Sequence, residues 1–215
     1  MTGCHRISLS GLATGLMLAA IVLSMPASAG ESAWLAEFVW SPQYCSHHRD
    51  YRHSREVQCA QPTGFVLRGL VSVVDGRPVD NCNEGPEMSP ALLDQMARFN
   101  GNRFLSELAW RRHGRCSGLE PEQWAVYAEH VDRRMSWPDG YRLENPARDV
   151  TPEQIVASIA ADNPGLSPEA IGLECRRGAL ESVTICLDER YAFSAAGCPL
   201  VRSCGDRVRL RPYHP

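Results

Sequence analysis

The sequence predicts one α+β domain. Strand-like alternating runs and amphipathic helical runs are intermixed along the chain without a regular βαβ rhythm, the pattern of an α+β architecture. The length of 215 residues suits a single core. Composition is that of a globular protein, with 44% hydrophobic and 22% charged residues.

Residues 1–29 read as an export signal. They carry one base, Arg6, an apolar stretch from Leu12 to Leu23, and the small-x-small end Ala27-Ser28-Ala29. The stretch is shorter than the ~20 residues of a comfortable membrane span, and no later segment is apolar enough to cross a bilayer. The expectation is therefore a secreted or periplasmic protein, residues 30–215, with no membrane attachment once the signal is removed. Removal takes the net charge from −3 to −4, which argues against a sequence-blind nucleic-acid coat while leaving room for a local basic site. All 22 basic residues are arginine, so a Lys-to-Arg difference from a relative can be compositional.

Cys4 leaves with the signal, and eight cysteines remain: Cys45, Cys59, Cys82, Cys116, Cys175, Cys186, Cys198 and Cys204. An even number in an oxidising compartment reads as disulfides, with the pairing open. No CxxC pair occurs, and disulfides account for all eight cysteines, so no metal site is expected.

The elements follow in order. Trp34 to Trp40 alternates as a strand does, stopped by Ser41-Pro42. Residues 46–58 are polar, hold His47, His48 and His53, and read as a solvated loop. Phe65 to Val71 is the strongest strand, with a turn at Asp75-Gly76. Ser89 caps a helix begun by Pro90, whose apolar face is Leu92, Leu93, Met96 and Phe99. Asn100-Gly101 ends it, and a second helix runs from about Arg103 to Arg112. Pro121 to Met135 forms another, with the stripe Trp124, Tyr127, Ala128 and Val131 as core. Thr151-Pro152-Glu153-Gln154 is a capping box opening a helix through Ile155, Val156 and Ile159, stopped by Asn163-Pro164-Gly165. Ile171–Cys175 and Ser182–Asp188 read as two antiparallel strands.

Three segments carry a resemblance. Trp40-Ser41-Pro42-Gln43-Tyr44-Cys45, then Gly64-Phe65-Val66-Leu67-Arg68-Gly69-Leu70, then Trp110-Arg111-Arg112-His113-Gly114-Arg115-Cys116 resemble, in order, the first strand and the two active-site segments of the ribonuclease T2 family of secreted endoribonucleases. The match covers nearly all of residues 34–204. It implies a central antiparallel sheet flanked by helices, and four disulfides paired Cys45–Cys59, Cys82–Cys116, Cys175–Cys204 and Cys186–Cys198. It implies metal-independent chemistry with no cofactor, and RNA as the partner of the site.

That chemistry moves a proton off the 2′-hydroxyl while another group protonates the leaving 5′-oxygen, which suits paired histidines; a nearby cation offsets charge on the phosphorane. The resemblance places a His in each segment, with a Glu and a Lys on the second. Here those positions hold Arg68, Ala109, Arg112 and His113. Leu108 stands where the family tends to have a further His, and Val71-Ser72 where it has Trp-Pro. A guanidinium with a pKa above ~12 exchanges no proton usefully at neutral pH. Arg112 keeps a cation able to bind phosphate.

The candidate catalytic residues are thus His113, Arg112 and Arg68, and the candidate phosphate-binding residues Arg68, Arg111, Arg112 and Arg115. Arg68 is expected either to pair with an acid and plug the pocket or to bind phosphate. Trp110 is expected in the core. Three readings stand: a family member with an RNA- or phosphate-binding cleft and lost or impaired activity; a slow endoribonuclease using His113; and a secreted interaction module for a protein partner. A monomer is expected.

Overall fold

The computed structural model describes residues 33–47, 58–59, 63–82, 84–101 and 103–213; the expected export signal, His48 and His53 lie outside them. The core is a seven-stranded sheet built on β1 (Ala33–Trp40). β1 runs antiparallel to β2 (Phe65–Val74) on one side and to β6 (Ala179–Leu187) on the other. β3 (Arg77–Val79) returns from β2 through the Asp75-Gly76 turn, where both residues have positive φ. β5 (Ile171–Arg176) pairs antiparallel with β6. β4 (Arg148–Val150) pairs with β7 (Val208–Leu210), which joins β6 through the single parallel pair Ala179–Arg209. The sheet is therefore mixed, not wholly antiparallel. The parallel join is one residue pair long and leaves no periodic trace in the sequence.

Ser41-Pro42 does stop β1, and it also starts a helix, α1 (Ser41–His47). The helix thus takes in Ser46 and His47, the first two residues of the expected loop, while residues 48–57 lie outside the described ones. α2 (Pro90–Asn100) is capped as expected, with Leu92 N–H donating to Ser89 Oγ at 3.2 Å and Gly101 in the left-handed conformation at its end. α3 (Arg103–Arg112) follows at once. α4 (Pro121–Arg134) opens on a capping box of Glu120 and Gln123, and α5 (Pro152–Asp162) on that of Thr151 and Gln154. Among the described residues no helix is long and apolar enough to cross a membrane.

α2, α3 and α4 pack on β2. Beneath them lies the main core, in which Phe38, Leu67, Leu70, Trp110, Trp124 and Ile185 are fully buried. The opposite face buries Ala33, Leu35, Val71 and Val73 under Cys198 and Leu200. All four disulfides form with the pairing that the family resemblance implies.

Candidate functional site

Between the sheet and α3 lies a solvent-open cleft, and three of the predicted site residues, Arg68, Arg112 and His113, line it together. Each is placed by a local rule. In the β1–β2 register, Glu37 faces Gly69 and Phe38 faces Leu67, so Arg68 is the extra residue of a β-bulge. A bulge bends its strand and re-aims a side chain, and it turns Arg68 toward the cleft. Gly69 lets β2 approach α3: a Cβ there would lie 3.4 Å from His113 Cδ2 and 3.5 Å from Ala109 Cβ.

α3 supplies the other wall. Ala109, Arg112 and His113 fall at i, i+3 and i+4, so they share one face, with Leu105 and Leu108 beside them. His113 N–H donates to Ala109 O at 2.9 Å, closing the last turn. Trp110, on the inner face, is fully buried as expected; its indole N–H donates to Pro86 O at 2.8 Å and its ring meets Trp124 edge-on. Gly114 lies against that ring so closely that any Cβ would overlap it. The Cys82–Cys116 bridge fastens the end of α3 to the segment after β3, where Asn81 N–H donates to Arg112 O at 2.6 Å.

Both cleft arginines face carboxylates. Arg68 Nη1 lies 2.9 Å from Glu37 Oε1, and Arg112 Nη2 lies 4.0 Å from Asp80 Oδ2. His113 is 7% exposed, and its Nδ1 is buried without a hydrogen-bond partner. Burial, with the Arg112 and Arg68 guanidiniums adding to it against Asp80, pushes its pKa down to about 4. The imidazole is therefore neutral at pH 7. Asn100, 1% exposed at the end of α2, also lines the cleft with its Nδ2 unpartnered.

The remaining candidates sit elsewhere. Arg111 is exposed beside Glu107, off the cleft. Arg115 has its side chain buried, paired with Glu87 and packed against Gly85. His47 ends α1 and is not among the cleft residues. Sequence reasoning missed Glu37, Asp80 and Asn100. The bulge at Arg68 gives no sequence signal, so nothing pointed to Glu37 as its partner.

What this arrangement can do chemically is hold an anion between two guanidiniums beside a neutral imidazole. The apolar wall of Val39, Val66, Leu105 and Leu108 suits a planar organic group next to that anion.

No family model matches the sequence. A curated ribonuclease from Aeromonas hydrophila is 27% identical over 205 residues, which span 92% of this chain and 89% of that protein. Among solved structures, trichomaglin, described as a novel S-like ribonuclease, superposes with a TM-score of 0.67 at 14% identity, over 86% of this chain and 100% of its own. RNase NT, solved in complex with 5′-AMP, superposes with a TM-score of 0.63 at 20% identity, over 85% of this chain and 99% of its own. In fold the chain is similar to these ribonucleases, and a curated ribonuclease matches it along most of its length, which supports the ribonuclease T2 resemblance carried by its sequence motifs.

Proposed function

We propose that this chain is an exported member of the family whose cleft binds the phosphates of RNA and whose endoribonuclease activity is lost or strongly impaired. The observation that carries this is the state of the cleft. His113 is its one imidazole among the described lining residues, and its low pKa makes it a weak base and an unavailable acid at neutral pH. Transesterification needs a second group to protonate the leaving oxygen. Arg68 and Arg112 hold their protons, and Ala109 has none to give. Loss of one acid–base partner alone removes roughly 10²- to 10⁴-fold in rate. Export is supported by the signal-like residues 1–29 and by four disulfides, which persist in oxidising compartments.

A second reading draws on the same imidazole. His113 is neutral at pH 7 and so in the form that accepts a proton, weak base though it is, which favours slow cleavage with Arg68 and Arg112 stabilising the phosphorane.

The test is RNA cleavage by the purified, oxidised protein, with and without chelator, beside His113→Ala. We expect no cleavage above the variant's background, together with RNA binding that weakens steeply with salt. Cleavage that chelator leaves intact and the substitution abolishes would replace this reading with the second. Absence of any RNA affinity would favour a protein partner for the exported domain.

A further inference from the structure

Outside the cleft lining, α1 carries a second group of polar and charged side chains. Gln43 and His47, at i and i+4, are joined at 3.1 Å between Gln43 Nε2 and His47 Nε2. Gln43 Nε2 also donates to the backbone carbonyl of Arg176 at 2.9 Å, which docks α1 on the β5–β6 turn. That turn is Arg177-Gly178, both with positive φ, at 53° and 75°. Hairpin turns of this kind favour Asn-Gly, because a left-handed conformation costs other side chains strain. Here the strained place holds an exposed arginine. The turn is also pinned from β7, where Arg209 N–H donates to Gly178 O at 2.8 Å. Arg211, just past β7, is anchored by Trp40, whose indole N–H donates to its carbonyl at 3.0 Å.

The group has an excess of positive charge. Among the described residues, Arg176, Arg177 and Arg211 lie close enough to His47 to act on it electrostatically, as does one acid, Glu181, which lies 3.5 Å from Arg176. In the cleft each arginine has its own carboxylate. The group also leaves polar capacity unused: Arg211 Nε and Gln43 Oε1 are buried without partners, and Gln43 is fully buried. A buried donor without a partner costs ~1–3 kcal/mol, so such groups call for an explanation. An arriving phosphate oxygen supplies an acceptor for the guanidiniums. Glu181 Oε2 is buried and unpartnered too, and its negative charge limits the excess.

We propose that His47, Arg176, Arg177 and Arg211 form a second phosphate site, an exosite for the backbone of the RNA strand whose other end lies in the cleft. The proposal rests on the RNA-binding reading of the cleft. Its geometry comes from α1: Tyr44 on that helix lines the cleft, while Gln43 and His47 belong to the exosite. Tyr44 and His47 are three residues apart on the helix, ~4.5 Å of rise, so the two sites are neighbours and a strand of a few nucleotides spans both. A mononucleotide fills one site only.

The test compares two probes, 5′-AMP and a single-stranded RNA of roughly ten nucleotides, on the wild-type chain and on the double variant Arg176→Ala with Arg177→Asn. Asn keeps the left-handed position accessible. We expect the variant to bind the RNA about tenfold more weakly, with a salt slope shallower by about 0.7 for each phosphate that the exosite no longer neutralises, and to bind 5′-AMP unchanged. A second measurement uses the wild-type chain alone: the His47 imidazole resonances shift on adding the RNA and stay in place on adding 5′-AMP. Equal RNA affinity of wild type and variant, or His47 resonances blind to RNA, overturns the exosite and leaves the cleft reading standing. A wild-type chain that binds neither probe overturns both.

Discussion

The two faces of α3 follow different rules. On the inner face Ser106 and Trp110 are buried, and Trp110 is held by the Trp124 ring, the Pro86 carbonyl and the bare Cα of Gly114. On the outer face Phe104 and Leu108 are exposed, Arg112 is half exposed, and His113 keeps a buried nitrogen with no partner. The inner face determines where the helix lies, and the outer face determines what the cleft can do. Because the two share a backbone while their side chains point apart, the outer set can change its chemistry while the fold stays intact. Here the bulge carries Arg68 and the cleft side of the helix carries Ala109, on a scaffold with a ribonuclease-like fold.

That separation can be broken from the inside. Trp110→Ala removes the largest buried side chain of α3 and should cost about 3–5 kcal/mol of stability, read from chemical denaturation. A loss under ~1 kcal/mol would mean that the inner face is not what fixes the helix.

His113 tests the boundary between the faces, since it is buried yet belongs to the cleft. Its pKa falls from 6.5 in the unfolded chain to about 4 in the folded one. Between those values the unfolded chain takes up a proton that the folded chain refuses. The contribution is therefore complete above pH 6.5 and is lost as the pH falls toward 4, by up to roughly 3 kcal/mol. Denaturation profiles should show this fall in the wild type and a flatter curve in His113→Gln. Asp132, which burial raises to about 6, works in the opposite sense but is common to both proteins and cancels in the difference. Parallel profiles would refute the burial of the imidazole.

The outer face should show the smallest effect on stability. Arg68→Ala removes an exposed ion pair with Glu37, and the melting curve should move by less than ~1 kcal/mol. Affinity for 5′-AMP should nevertheless drop several-fold, measured by titration calorimetry. A variant that is both destabilised and unchanged in affinity would make Arg68 a plug for the pocket, with no part in the site.

Most of the scaffold was legible because its signals are local. Ser89-Pro90 and the Thr151 capping box announce helix starts, and the alternation of Trp34 to Trp40 announces a strand. The same Ser-Pro signature at Ser41-Pro42 was legible too, but it reads equally as the stop of a strand; here it does both. β3, β4 and β7 are three residues each, too short for any periodicity to show. In the site, Arg68, Arg112 and His113 could be brought together because sequence motifs carry them. Their counterions could not, since Glu37 and Asp80 meet them only through a bulge and a turn. Arg115 shows the converse: adjacency to His113 in sequence suggests a basic patch, whereas the chain turns after α3 and buries that side chain beside Glu87.

Disulfide connectivity bears on how the chain is made. Read from the N-terminus, Cys45 finds Cys59 and Cys82 finds Cys116, each the next cysteine to emerge. The last four break this order, because Cys186–Cys198 is enclosed within Cys175–Cys204. An oxidase that joins cysteines strictly in order of appearance produces the first two bridges correctly and then links Cys175 to Cys186. Thiol–disulfide exchange by an attacking thiolate can undo that mistake. The first half of the molecule can be stitched as it arrives, whereas the second must wait for its final cysteine or be proofread.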